Sequence, residues 1–190
     1  MFWWPSNDGA YTVRSGYWLC KKVPAVLQGV DMNEVWRLIW SMKCPPKLQH
    51  FLWRACKGFL AVKERLHYRH ITPEKSCSIC NASEESINHA IFECKAATEV
   101  WAASPLFSQV SAAPSNSFVE RFLWYSKNVS KDELLSIASL AWAAWHCRNK
   151  YIFEQEAFNA VDVARGWVKY VKESLEYAVR TGIKSALCCV

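Results

Sequence analysis

The apolar residues of this chain recur at helical intervals along most of its length, and strong breakers separate the runs. Val35, Trp36, Ile39 and Trp40 form one helix stripe. Asn33 stands where a cap belongs, and Cys44-Pro45-Pro46 ends the run. Pro46 suits the first turn of a second helix, where its missing N–H costs little. That helix places Leu48, Phe51, Leu52 and Ala55 on one side and closes at Gly58. A third, short and basic helix runs from Val62 to Tyr68, and Thr72-Pro73 stops it. Ser83 or Ser86 offers a cap for a helix that contains His89 and runs towards Trp101. Residues 104–118, rich in Ser, Ala and Pro, read as a loop before a short helix from Phe118 to Tyr125. Ser130 and Glu133 have the spacing of a capping box. They open a long helix through Leu134, Leu135, Ala138, Ala141, Trp142 and Trp145. A break at Phe158-Asn159 precedes a last helix carrying Val161, Ala164, Val168, Val171 and Leu175 and ending by Gly182. Near the start, Tyr11 and Val13 alternate with polar neighbours after the turn signal Asn7-Asp8-Gly9, which reads as a short strand. A helix capped by Ser15 follows, through Tyr17, Trp18 and Leu19.

The expected fold is therefore mainly α: a small helical domain, stapled through the Cys77, Cys80, His89 and Cys94 cluster, with a short N-terminal strand, followed by a C-terminal helical extension. The boundaries fall at 1–104 for the stapled domain, 105–130 for a linker with a short helix, and 131–190 for the extension. Apolar residues make up 52% of the 190, enough for a core. No apolar run approaches the roughly 20 residues that span a bilayer. The start, Met1-Phe2-Trp3-Trp4-Pro5, lacks the basic and apolar regions of a signal peptide. An intracellular protein of nucleus or cytoplasm is expected, neither secreted nor in a membrane. Its nine cysteines are then thiols or ligands rather than disulfides. Cys20, Cys44, Cys56 and Cys147 sit in apolar contexts and read as small buried hydrophobes, and Cys188-Cys189 as a frayed end.

Chemistry concentrates in one segment. Cys77, Cys80, His89 and Cys94 follow the spacing C-x2-C-x8-H-x4-C, three thiols and an imidazole within eighteen residues. This is the ligand set of a closed, tetrahedral, structural Zn2+ site, which leaves no position for water or substrate. A redox dithiol at Cys77 and Cys80 explains neither His89 nor Cys94, and chance clustering in a cysteine-rich chain is the other alternative. One geometric difficulty is visible in advance. Residues five apart lie about 140° apart around an ideal α-helix, so His89 and Cys94 need a helix that starts near His89 or is distorted near Cys94. His50, His67, His70 and His146 lack cysteine partners at ligand spacing and read as packing or surface residues.

The net charge of +6 is just as localised. Residues 43–75 hold eight basic and two acidic side chains, and the rest of the chain balances. Lys47, Arg54, Lys57, Lys63, Arg65, Arg69 and Lys75 are the candidate contacts for a phosphate backbone, RNA or DNA. A solvated helical face is the plainer alternative. Zn2+ with three thiolates and a neutral imidazole is net −1, so phosphate contacts have to come from these residues and not from the metal. Of the eleven tryptophans, Trp36, Trp40, Trp53, Trp101, Trp142 and Trp145 lie on apolar stripes and are expected in the core. Trp3 and Trp4 are left as candidates for base stacking.

Ordered motifs over nearly the whole chain carry a family resemblance. They are Trp4, Asp8-Gly9 and Tyr11-Thr12-Val13-Arg14-Ser15-Gly16-Tyr17, then Trp36-x3-Trp40, Pro45-Pro46-Lys47 and Phe51-Leu52-Trp53-Arg54. The Cys77, Cys80, His89, Cys94 set and Trp101 follow, and Ala141-Trp142-x2-Trp145 with Arg148-Asn149 and Phe153 comes last. The chain resembles the reverse-transcriptase zinc-binding domain of plant LINE-type (non-LTR) retrotransposon polyproteins. The resemblance implies a role beside reverse transcription, with RNA or DNA as partner and with polymerase and ribonuclease H domains as neighbours in related proteins. Those chemistries need clustered carboxylates holding two metals. The four aspartates here, Asp8, Asp31, Asp132 and Asp162, are widely separated. The expectation is a retroelement fragment or stand-alone remnant that is not an enzyme and takes no small-molecule substrate. The competing expectation is a helical protein-interaction or scaffold piece with a purely structural zinc site.

Overall fold

The computed structural model describes Thr12, residues 31–155 and residues 159–181. Its contacts divide the chain into Met1–Met32 and Asn33–Val190. The expected N-terminal strand and its following helix, Trp3, Trp4, Cys20 and the Cys188-Cys189 end lie outside the described residues, Thr12 excepted.

Among the described residues the fold is helical, with one isolated antiparallel bridge between Ser76 and Glu84. The helices are α1 (Met32–Ser41), α2 (Pro46–Cys56), α3 (Lys63–Tyr68), a π turn (His89–Glu93), α4 (Lys95–Ala102), α5 (Phe107–Ala112), α6 (Phe118–Asn128), α7 (Lys131–Glu154) and α8 (Ala160–Thr181). The breakers act as expected. Pro46 opens α2, and Gly58, at φ 69, leaves it in the left-handed region that glycine adopts without a Cβ penalty. Ser130 and Glu133 form the full capping box of α7. Asn159 caps α8, its Oδ1 accepting from the amides of Val161 and Asp162.

α7 is the axis of the 33–190 unit. It packs against α2, the π turn, α4, α6 and α8. Small residues allow this close approach on several sides: Ala138, Ser139, Ala141, Ala143 and Ala144 are all buried. Phe92 of the π turn is the aromatic hub. Its ring stacks on Trp101 at 5.3 Å and lies 6.0 Å from Phe118 and 6.3 Å from Tyr125. Trp101 is fully buried and donates its indole N–H to the Ile91 carbonyl at 2.7 Å. The segment that carries His89 is thus fastened into the core by its own next residues.

Three expectations change. The stretch 104–118 is not all loop, since Val110 is buried and anchors the short helix α5. The helix expected from His89 to Trp101 is broken at Cys94, whose φ −61 and ψ 143 are extended. The tryptophan stripes are less buried than their spacing suggested. Trp101 is in the core, Trp36, Trp53, Trp142 and Trp145 are half-buried, and Trp40 is 45% exposed. In α1 the core takes only Val35 and Ile39, one turn apart, and the wider Trp flanks lie at its edge. Cys44, Cys56 and Cys147 are buried as expected, and His50, His67, His70 and His146 are all exposed or half-buried.

Candidate metal centre

The Ser76–Glu84 bridge closes a tight loop. Cys77 N–H donates to Ser83 O at 2.9 Å and Glu85 N–H to Lys75 O at 2.8 Å. Inside it, Asn81 N–H donates to Cys77 O, and Asn81 itself adopts φ 54. Asparagine is among the few residues that visit this region readily. This turn over residues 77–81 brings Cys80 back towards Cys77. Ile79 N–H points at Cys77 Sγ, 3.4 Å away, a donor placed to stabilise a thiolate.

The second pair of donors comes from the π turn. Ser86 Oγ accepts from His89 N–H at 3.0 Å and starts it. Cys94 N–H then donates to His89 O at 2.7 Å, a closure between residues five apart. This wider turn brings residue i+5 back over residue i. It removes the angular mismatch that an α-helix imposes between His89 and Cys94, and the chain then leaves in an extended conformation.

The four candidate ligand atoms lie within 4.8 Å of one another. Cys77 Sγ and Cys94 Sγ are 3.8 Å apart, and Cys80 Sγ is 3.3 Å from His89 Nε2. A tetrahedral ion with Zn–S bonds of about 2.3 Å sets its sulfurs about 3.8 Å apart, so the residues fit the group. With Nε2 turned to the sulfurs, the ring proton belongs on Nδ1, which meets Ser83 Oγ at 2.9 Å. Such an outer hydrogen bond fixes the tautomer and the ring orientation. Three donors are buried and Cys80 is half-exposed, so the cluster opens to solvent at one corner.

The thiols differ in electrostatics. The Ala82 backbone N–H holds Cys80 below the usual thiol range. Burial, with lesser contributions from Cys77 and Cys80, pushes Cys94 up to about 12. Without a cation the three sulfurs cannot all ionise in so small a space. A divalent ion reverses that balance and deprotonates the thiols it binds.

Two residues that sequence reasoning passed over lock the loop in place. Glu85, fully buried, accepts a bidentate pair from Arg148 of α7, at 3.0 Å from Nε and 2.6 Å from Nη2. Its Oε2 also accepts from Lys63 N–H at 2.8 Å, and its backbone O from Glu64 N–H at 3.2 Å. One carboxylate thereby caps α3 from a distance, binds α7 and sits between two metal ligands in sequence. One of two adjacent acids among polar residues, Glu85 has no sequence signal that sets it apart from Glu84. Arg148 stood within a family motif, but its partner 63 residues away was not visible.

The basic candidates spread over α2, α3 and the approach to the loop. Lys47, Arg54, Lys57, Arg69 and Lys75 are exposed, while Lys63 and Arg65 are half-buried. Some are engaged locally. Lys75 pairs with Glu84 at 3.6 Å, Lys57 lies 5.0 Å over Trp36, and Arg54 donates to Phe59 O at 3.1 Å.

Comparison with known proteins agrees with this centre. Residues 11–101 match the family model described as zinc-binding in reverse transcriptase. An Arabidopsis thaliana relative named "Putative ribonuclease H protein" is 28% identical over 101 residues. That stretch is 52% of this chain but only 16% of the relative. No solved structure matches the chain. The match spans the Cys77, Cys80, His89 and Cys94 cluster, so just under half of the chain, residues 11–101, is similar to the zinc-binding domain of reverse transcriptase.

Proposed function

We propose that the chain is a non-catalytic module in which a structural Zn2+, held by Cys77, Cys80, His89 and Cys94, fixes a loop that presents basic side chains to RNA or DNA. The observation that carries this reading is the mounting of α3. α3 itself buries no residue fully, and it reaches the core only through its N-cap Val62. It is held at its N-terminus by Glu85, which lies inside the metal-binding segment. A helix supported in this way and carrying Lys63, Arg65 and, just beyond it, Arg69 suits display to a polyanion. Zinc contributes folding free energy, and the four protein donors complete its shell, which leaves no open position for chemistry. Lys47, Arg54, Lys57 and Lys75 extend the basic surface.

Two measurements on the purified chain test this reading. Metal analysis should give one zinc per chain. Affinity for RNA and DNA should fall linearly on a log–log plot against salt. Charge reversal at Arg54, Lys57 and Arg65 should weaken binding across all sequences alike. Absence of binding at low salt, or binding indifferent to salt, removes the nucleic-acid role.

A groove favours a second reading, that of a protein-interaction piece. An open cavity of about 1170 Å³ runs between the 103–109 stretch, α7 and α8, with Leu106, Leu135, Leu140, Val168 and Val171 among its walls. A groove with a buried apolar floor and a charged rim, here Glu133, Lys169, Lys172 and Glu173, can receive a partner helix. Sedimentation discriminates: a monomer that binds RNA favours the first reading, an oligomer blind to RNA the second.

A further inference from the structure

We propose that the basic surface takes single-stranded nucleic acid in preference to duplex, with an unpaired base stacking on Tyr68. The inference rests on the nucleic-acid reading above and makes it specific. Tyr68 is the last residue of α3 and, at 77%, the most exposed large hydrophobic side chain among the described residues. Burial does not account for its presence there.

Its surroundings are cationic. The Arg65 guanidinium lies 6.0 Å from the ring centre, and Arg69 and His70 follow directly, both exposed. Exposed aliphatic surface continues at Ile71, 62% accessible. The acids of the neighbourhood, Glu64 and Glu74, are outnumbered. A phosphate chain tracking Arg65 and Arg69 therefore passes beside an open aromatic face.

The platform is also held in place. The turn after Tyr68 is closed by Ile71 N–H donating to Leu66 O at 2.9 Å and His70 N–H to His67 O at 2.8 Å. His67 Nδ1 meets Thr72 O at 3.2 Å. The other end of α3 is fixed by Glu85. A ring on a fixed mount loses little freedom when a base stacks on it. Bases in a duplex are stacked on each other and expose no face, so only an unpaired strand can use this surface. Cationic grooves interleaved with aromatic platforms are the general solution for sequence-tolerant single-strand binding. Phe59, 46% exposed and edge-on to Trp53 at 5.8 Å, is a second candidate platform just before α3.

The test is a titration of the zinc-loaded full chain with fluorescently labelled oligothymidylate, oligouridylate and a duplex of equal length, at matched salt. The single strands are expected to bind more tightly. Tyr68→Ala should weaken single-strand binding by about 5- to 150-fold, the range of one lost base stack. The same change should leave duplex affinity and the salt slope unaltered, and Tyr68→Trp should retain full affinity. Tyr68→Ala binding single strands as tightly as the parent, while Arg65→Glu loses both ligands, overturns the stacking proposal and leaves the electrostatic reading standing. Equal affinity for single strand and duplex also overturns it. Failure of every ligand to bind at low salt removes both.

Discussion

Glu85 and Arg148, 63 residues apart in sequence, form a bidentate ion pair with the carboxylate wholly shielded from water. The pair ties the metal-binding loop to the C-terminal third of α7. The same carboxylate caps α3 through Lys63 N–H. The Arg148 guanidinium is further backed by the Trp145 ring at 4.9 Å and by Asn149 Oδ1 at 2.9 Å.

Removing one partner leaves an uncompensated buried charge. Arg148→Met should therefore destabilise the protein by about 3–5 kcal/mol. Glu85→Gln combined with Arg148→Met should cost clearly less than the two single changes added together. Urea unfolding of the four proteins in a double-mutant cycle measures this coupling. Additive costs would mean that the pair acts only through packing.

The metal set makes a sharper claim. Cys94→Ser should lower bound zinc from one per chain to none and loosen the loop and the π turn. Cys147→Ala, at an equally buried thiol in α7, should leave the zinc content intact and cost only packing. Metal analysis and amide exchange across residues 77–94 distinguish the two. Because structural zinc contributes on the order of 10 kcal/mol in apparent terms, chelation should unfold this segment cooperatively.

Ser83 has a role that is separable from folding. Its hydroxyl is the acceptor for His89 Nδ1–H, and the residue is exposed. Ser83→Ala should weaken zinc binding by about 10- to 100-fold while leaving helix content unchanged. Competition with a chromophoric chelator gives the affinity, and an unchanged value would show that the ring needs no such support.

The buried thiols set a pH dependence at the alkaline end. Burial pushes Cys44 up from 9.0 to about 12 and Cys147 from 9.0 to about 11, and Cys56 rises further still. Above pH 9 the unfolded chain loses thiol protons that the folded chain keeps. These groups therefore stabilise the fold fully below about pH 9, and that stability is lost as pH rises towards 11–12. Stability curves against pH should bend downward in that window. Alkylation mapped by mass spectrometry at pH 8 should spare Cys44, Cys56 and Cys147 until denaturant is added.

Much of the fold was legible because its signals are local. Pro46, Gly58, Ser130 with Glu133, and Asn159 set helix ends through backbone dihedrals and nearby N–H groups, which need no distant partner. Four candidate metal donors within eighteen residues belong to the same class, since closing so short a loop costs little entropy. The sequence by itself thus determined a helical protein with a Cys3His centre and a basic segment beside it. Only the tertiary structure decided how His89 and Cys94 reach one ion. The π turn that reconciles them is started locally by Ser86 Oγ but is held in place by Phe92 and Trp101 in the core. Tertiary structure alone also decided which aromatic residues stay outside, as Trp40 and Tyr68 do, and that Glu85 pairs with Arg148. Such outcomes depend on which distant surfaces exclude water from one another, and periodicity along a single helix carries no record of that.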